Sequence, residues 1–253
     1  MWFKGAGGDS VHAWLHKPYG WSAGKKYPVV LYCHGGPESP WEDAWSYRWN
    51  PQLIAAQGYA VLAPNFHGSG SFGSNFTRAI LGEWGGKPFT DLMTALDVAA
   101  QRFPWIDLTR AGAMGASFGG FMINWINSQT TRFKCLVCHD GVFNPGEHFY
   151  STDELYFPET EFLGTPWDPK SVYEKWNPAR FVDKMVTPEL VIHGGIDYRI
   201  PDIVGLSAYT ALQRRGIPSK FIRFPNENHW VLNPNNSIFW HEQVFAWLAQ
   251  WLK

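Results

Sequence analysis

One short segment, residues 113–125 with the sequence AMGASFGGFMINW, constrains the fold more than any other part of the chain. An apolar, strand-like run leads into Ser117, and a helix-like run begins directly after it. Gly115, Ser117 and Gly119 form a G-x-S-x-G pattern, which in this context predicts a sharp turn that presents the serine hydroxyl at the carboxyl edge of a sheet. We expect a Cβ atom at either glycine to collide with neighbouring backbone, and Ser117 to hold a strained conformation.

The remainder of the chain alternates strand-like and helix-like runs. Nearly continuous β-rich runs at 27–36 and 59–66 are typical of strands that are covered on both faces. Residues 90–103 carry apolar side chains at helical spacing behind a Thr90 cap, which predicts a helix. This alternation predicts an α/β fold with a mostly parallel central sheet and helices on both faces. Further strands are expected at 11–18 (as an edge strand), 111–117, 133–141, 189–195 and 219–225. Further helices are expected at about 50–57, at 118–129 and at 203–216. A last helix is expected to carry an apolar stripe formed by Trp240, Val244, Trp247, Leu248 and Trp251.

One segment interrupts this alternation. Residues 143–180 are rich in proline and aromatic side chains, and we expect them to form an insertion that lies over the strand ends rather than a separate domain. A chain of 253 residues is long enough to bury one large core. We therefore predict a single α/β domain that covers residues 1–253.

Composition excludes several classes of partner and site. A formal net charge of -1 gives no electrostatic reason to expect nucleic acid or an anionic membrane as partner. No apolar run approaches the roughly 18 residues that a membrane span needs. Cys135 and Cys138 have the spacing of a redox or metal pair, but residues three apart on a strand face opposite sides of the sheet. Together with Cys33 they are expected to be buried thiols.

The serine needs partners, because its hydroxyl is a poor nucleophile without a base, and the base needs an orienting carboxylate. After a turn of this kind the order along the chain is serine, then acid, then histidine, each after a later strand. Asp197 follows one predicted strand and His229 follows the next. Both are therefore expected beside Ser117 at the carboxyl edge of the sheet, where open α/β sheets bind ligands.

Other polar residues compete with this assignment. Asp140 also follows a strand, whereas we interpret Asp202 as a helix cap and His193 as a structural imidazole. The glycine-rich segment 68–73 has the G-x-G-x-x-G spacing of a dinucleotide site, but no convincing helix opens directly after it. We therefore expect no cofactor and no metal.

An acyl-transfer site also needs N–H donors for the developing oxyanion. The N–H of Phe118, at the start of the helix after Ser117, is one candidate. The turn His34-Gly-Gly-Pro follows an early strand, and its glycines allow a backbone N–H to approach a substrate closely. Of these we favour Gly36.

Several motifs resemble the catalytic domain of the prolyl oligopeptidase family. They are HGGP, GASFGG, WGGKPFTDL, HGGIDYRIP and ENHW, while YRWNPQLIAAQGY, CHDGVF, ELYFPE and YEKWNPARF are closest to its fungal dipeptidyl-peptidase V and acylaminoacyl-peptidase branch. The resemblance spans essentially the whole chain. It implies an α/β-hydrolase fold with Ser117 as nucleophile, His229 as base and Asp197 as orienting acid.

The resemblance has two further implications. With the Phe118 side chain, Val142, Phe143 and Ile200 are implied to line an apolar pocket for the group before the scissile bond. Family members also carry an N-terminal β-propeller over the active site, whereas this sequence begins at the first hydrolase strand. The chain is then either a hydrolase from which the propeller is missing or a stand-alone enzyme with an open site. Its compartment stays open: cytoplasmic as the chain stands, secreted if a leader and propeller were removed.

The sequence thus predicts a serine hydrolase that works through an acyl-enzyme, most directly a dipeptidyl- or acylaminoacyl-peptidase acting on short peptides. A carboxylesterase or feruloyl-type esterase is the alternative, because ester leaving groups need less protonation than an amine. A non-catalytic binding module with the same fold is a further alternative. Assembly into a homo-oligomer is left open by the sequence.

Overall fold

The computed structural model, which describes residues 1–253, contains one eight-stranded sheet. Its strands are β1 (Trp2–Lys4), β2 (Ser10–His16), β3 (Tyr27–Cys33), β4 (Ala60–Asn65), β5 (Ile106–Ala116), β6 (Cys135–His139), β7 (Glu189–Gly194) and β8 (Ser219–Phe224). Their order across the sheet is β1-β2-β4-β3-β5-β6-β7-β8. The pairs of β2 with β1 and β4 are antiparallel, and all other pairs are parallel. The predicted mostly parallel sheet is confirmed.

The chain contains eight α-helices, and helices lie on both faces of the sheet. They are α1 (Pro51–Ala56), α2 (Ser74–Arg78), α3 (Lys87–Arg102), α4 (Phe118–Gln129), α5 (Pro145–Phe149), α6 (Tyr156–Glu161), α7 (Asp202–Arg214) and α8 (Pro234–Leu252). The buried apolar residues of α3, α4 and α7 form one core against the sheet, and those of α1 and α8 form a second core on the opposite face. None of these helices combines the length with the apolarity that crossing a membrane requires.

The positions of the cysteines show that the central strands are buried on both faces of the sheet. Cys138 packs in the core on the α4 side, and Cys135 packs in the core on the α8 side, as their spacing on a strand predicts. All three cysteines are free and buried. Burial raises the pKa of the Cys135 thiol to about 12 and the pKa of the Cys33 thiol further, so these side chains are packing groups rather than nucleophiles.

Three predictions about single elements were wrong. Strand β2 is not an edge strand, because β1 pairs along its outer side. Strand β1 has three residues, which are too few to show the alternation of a strand in the sequence. Helix α3 begins at Lys87 rather than at Thr90, because a proline in its first turn allows an earlier start after Gly86. A helix does follow the glycine-rich segment 68–73, because α2 begins directly after Gly73. Its five residues are too few to give a periodic pattern in the sequence.

Residues 143–180 lie between β6 and β7 and form α5, α6 and connecting turns. Asn144 begins α5 by accepting hydrogen bonds from the backbone N–H groups of Gly146 and Glu147. Because the insertion leaves the sheet at the carboxyl end of β6, its side chains reach the sheet edge at which Ser117 lies.

Candidate active site

Ser117 occupies the turn between β5 and α4 with φ 59° and ψ -121°, a conformation that residues with a side chain rarely adopt. Its backbone N–H donates to the carbonyl of His139 at 3.0 Å. A Cβ at Gly115 would lie 2.6 Å from the Gly119 carbonyl oxygen, and a Cβ at Gly119 would overlap the Cys33 carbonyl oxygen. The structure therefore has the strained turn and the two steric requirements for glycine that the pattern predicts.

The predicted acid and base are in contact. His229 Nδ1 donates to Asp197 Oδ2 at 2.6 Å, and the buried Asp197 also accepts backbone N–H bonds from Arg199 at 2.9 Å and Ile200 at 3.0 Å. Three donors therefore fix the carboxylate and, through it, the imidazole ring. With the proton of the neutral ring on Nδ1, Nε2 is the nitrogen that can accept a proton.

Ser117 and His229 line the same cavity, which has a volume of about 510 Å³. No hydrogen bond joins their side chains in the structure. Catalytic hydrogen bonds in enzymes without substrate are often long or poorly aligned and tighten when substrate binds. The cavity lies beyond the carboxyl ends of the central strands, because β3, β5 and β7 all lead into residues of the site.

Asp140, the competing acid, does not contact His229. Its Oδ1 accepts the backbone N–H of Gly194 at 3.0 Å, and its Oδ2 lies 2.8 Å from His139 Nε2. Burial favours the neutral carboxyl group, but electrostatic attraction to the neighbouring His139 and His193 holds the pKa of Asp140 below its usual range. Asp140 is thus a buried charge that fixes the end of β7, and Asp197 is the carboxylate that contacts the ring of His229.

The other two competitors have structural roles. His193 donates from Nε2 to the carbonyl of Ile200 at 2.7 Å, as expected for a structural imidazole. Asp202 does not cap α7: Pro201 holds the cap position, and Asp202 pairs with Arg223 at 2.5 Å. Ligand atoms of His193, Asp140 and Asp197 lie within 4.8 Å of one another, but each is buried and already engaged with protein groups, so they do not make an open metal site.

The two residues predicted to donate N–H groups to an oxyanion, Phe118 and Gly36, both line the cavity. The N–H of Phe118 is the first of α4 and has no carbonyl one turn earlier in the helix. Gly36 lines the cavity with φ 121°, a conformation that favours glycine. A Cβ at Gly35 would lie 3.1 Å from the Cβ of Ser117, so a glycine is needed here for the turn to approach the serine.

His34 holds this glycine turn in place. Burial lowers its pKa to about 4, so the ring is neutral at physiological pH. Nδ1 lies 2.9 Å from the carbonyl of Gly35 and therefore donates, which leaves Nε2 to accept from the Ser69 hydroxyl at 2.8 Å. The ring also stacks on Phe66, with centroids 4.0 Å apart.

Two of the three implied pocket residues reach the cavity. Val142 and Ile200 line it together with Phe118. Phe143 does not: it is buried in the core, and its carbonyl accepts the backbone N–H of Ala179 at 3.3 Å. The chain bends at Phe143, so that Val142 lines the cavity while Phe143 packs only in the core.

The sequence reasoning missed most of the remaining cavity wall. The insertion supplies His148, Thr152, Glu154, Tyr156 and Phe157, and other segments supply Trp41, Arg48, Trp49, Trp84, Arg199 and Trp230. Arg199 lies two residues after Asp197, and Trp230 directly follows His229, so their positions in the sequence could have identified them. The insertion has no period that tells which of its side chains point inward.

One residue of the cavity wall, Trp84, is hydrogen-bonded to a buried carboxyl group. Trp84 donates from Nε1 to Glu161 Oε2 at 2.5 Å. Burial, together with the nearby Glu38, raises the pKa of Glu161 to about 8. The carboxyl group is therefore mostly protonated at neutral pH, and it fixes the indole that forms part of the cavity wall.

Comparison with known proteins agrees with this architecture. Among curated proteins, dipeptidyl-peptidase 5 of Schizosaccharomyces pombe is 45% identical over 255 residues and covers 100% of this chain, and dipeptidyl-peptidase 4 of Giardia intestinalis is 48% identical over 249 residues and covers 96% of it. The chain spans only 37% and 33% of the length of those two relatives.

The fold comparison points the same way. A solved structure of an acylaminoacyl peptidase in complex with Z-Gly-Gly-Phe-chloromethyl ketone superposes with a TM-score of 0.93 and 25% identity, covering 100% of this chain and 41% of the other. The prolyl oligopeptidase family model matches residues 45–253. This match, the two curated relatives and the α/β-hydrolase architecture together identify the chain as a member of the prolyl oligopeptidase family.

Proposed function

We propose that residues 1–253 form one catalytic domain of a serine peptidase that removes dipeptides or acylated residues from short peptides through an acyl-enzyme. The observation that carries the proposal is the 2.6 Å bond from His229 to Asp197 beside a cavity that the strained Ser117 also lines. The curated relatives are dipeptidyl-peptidases, and the solved relative holds a peptidyl chloromethyl ketone. These names support a peptide substrate.

In the proposed mechanism, His229 Nε2 takes the proton from Ser117 as its oxygen attacks the scissile carbonyl. Asp197 holds the imidazole in the correct tautomer and stabilises the imidazolium that forms. The backbone N–H groups of Phe118 and Gly36 donate to the carbonyl oxygen of the scissile bond and stabilise the negative charge that develops on it. The imidazolium then protonates the leaving amine. Water, activated by the same imidazole, hydrolyses the acyl-enzyme.

The cavity supports an apolar acyl group. Val142 and Ile200 provide aliphatic surface, and Trp84 and Phe157 provide aromatic surface. A volume of about 510 Å³ is within the range of pockets for small ligands and accommodates a short peptide rather than a folded segment.

A rate comparison on matched substrates tests the proposal. The set contains a dipeptidyl nitroanilide, an acetylated amino-acid nitroanilide, nitrophenyl butyrate and methyl ferulate, each with wild-type protein and with Ser117→Ala. We expect turnover of at least one anilide as well as of the activated ester, and no turnover by the variant. Turnover of esters alone would replace the peptidase assignment with an esterase. Equal rates for Ser117→Ala, or no turnover at all, would contradict the whole proposal.

A further inference from the structure

Arg48 is a cavity residue to which the mechanism assigns no role. It lies in the segment between β3 and α1, and its Nη1 donates to the backbone carbonyl of His229 at 3.2 Å. Its guanidinium carbon lies 5.3 Å from the centre of the Trp49 ring and 5.6 Å from that of Trp230. Both rings also line the cavity, so the guanidinium is fixed beside the base by a hydrogen bond and two cation–π contacts.

The charge of Arg48 is not balanced by a direct ion pair. The other arginine of the cavity, Arg199, pairs with Glu154 at 2.8 Å, whereas Arg48 has no carboxylate within 4 Å. The buried Asp140 acts on it only through space, and burial lowers its pKa to about 10, which still leaves it charged at neutral pH. Of five guanidinium N–H groups, only the one directed at His229 is engaged in a hydrogen bond, so donors remain for a ligand.

The position of Arg48 indicates which part of a substrate it meets. In the proposed mechanism His229 gives its proton to the leaving amine, so the leaving group lies against this residue. Val142 and Ile200, which form the apolar acyl pocket, come from the strand ends after β6 and β7, whereas Arg48 comes from the segment after β3 and contacts the loop of the base. Arg48 therefore faces the leaving-group side of the site.

We propose that Arg48 binds the C-terminal carboxylate of the leaving group, so that the site favours short peptides that end one or two residues after the scissile bond. The inference rests on the proposed function. A guanidinium with free, coplanar N–H groups is suited to bind a carboxylate through two parallel hydrogen bonds. One extended residue spans about 3.3–3.6 Å, so one or two residues bring a carboxylate from the scissile nitrogen to a group beside the base.

The test uses two tetrapeptides of the same sequence, Gly-Phe-Gly-Phe with a free C-terminal carboxylate and its C-terminal amide, cleaved at the central bond. We expect wild-type protein to show a kcat/KM at least about tenfold higher for the acid. Arg48→Gln should bring the ratio of acid to amide close to 1, and Arg48→Lys, which keeps the charge but not the planar fork, should give an intermediate ratio. Arg199→Gln is the matched control and should leave the ratio at the wild-type value, because the charge of Arg199 is already paired.

The outcomes separate a binding role from a structural one. If Arg48 only holds His229 in place, Arg48→Gln lowers kcat/KM for both peptides by the same factor, and the unchanged ratio overturns the proposal. A wild-type ratio near 1 overturns it without any variant. A dipeptidyl nitroanilide has no carboxylate in its leaving group, so Ser117-dependent turnover of this anilide together with a ratio near 1 refutes the role of Arg48 alone. Failure to cleave the anilide and both peptides refutes the proposed function as well.

Discussion

Replacement of Gly115 by alanine tests whether the packing of the serine turn controls both stability and chemistry. The new Cβ would lie 2.6 Å from the carbonyl oxygen of Gly119 and 2.9 Å from that of Cys33. Both atoms belong to backbone, so no side chain can rotate away. Since a comfortable contact needs about 3.5 Å, the first turn of α4 and the end of β3 must each move by roughly 0.5–1 Å relative to β5.

This displacement has two expected costs. Overpacking of a core site typically costs about 1–3 kcal/mol, which corresponds to a fall in Tm of about 2–12 °C for a domain of this size. The same movement shifts Ser117 and the Phe118 N–H relative to His229, and a misplacement of about 1 Å can lower kcat/KM by about 10²-fold. Calorimetry measures the first effect, and hydrolysis of nitrophenyl butyrate measures the second.

Gly146→Ala is the matched control for this experiment. Gly146 has an ordinary φ, and the nearest atom to its added Cβ would be Asn144 Oδ1 at 3.4 Å. We expect this variant to keep its Tm within about 2 °C and its kcat/KM within about threefold of wild type. A Gly115→Ala protein with unchanged Tm and kcat/KM would refute the steric argument, and a lower Tm with unchanged kcat/KM would refute its extension to catalysis.

Three further predictions concern buried carboxyl groups. Asp197→Asn should lower kcat by about 10⁴-fold with little loss of stability, because the ring of His229 loses its orienting charge; a loss below tenfold in single-turnover kinetics would contradict this. Asp140→Ala should lower the free energy of unfolding by about 1–3 kcal/mol, because it leaves the N–H of Gly194 unpaired, and denaturant titration with Asp140→Asn as control measures it. Glu161 has a folded-state pKa of about 8, above its ordinary 4.5, so the folded state binds more protons and its stability falls as the pH rises through this window. Glu161→Gln should therefore flatten the fall in Tm between pH 5 and 8, and an unchanged slope would contradict the burial argument.

The parts of the fold that could be predicted from sequence are those in which one local pattern has one structural solution. The serine turn is such a case, since only glycine fits at positions 115 and 119 and a helix must follow at once. The contact between Asp197 and His229 could be predicted as well, because parallel strands bring their carboxyl ends to one edge of the sheet. The opposite placement of Cys135 and Cys138 followed from the twofold period of a strand.

The parts that could not be predicted depend on long-range contacts. Whether Val142 or Phe143 faces the cavity depends on how the chain leaves β6, and the sequence pattern contains no signal for that direction. Arg48 reaches His229 across 181 positions of sequence. Its role in the site could therefore be recognised only once the segment after β3 and the loop after β8 were seen to meet.

The most direct measurement of the central claim is site mapping by mass spectrometry after reaction with a fluorophosphonate probe. We expect one adduct, on the peptide that contains Ser117, that is lost in Ser117→Ala and forms much more slowly in His229→Ala. An adduct on another residue, no adduct on folded wild-type protein, or labelling at an unchanged rate in His229→Ala would contradict it.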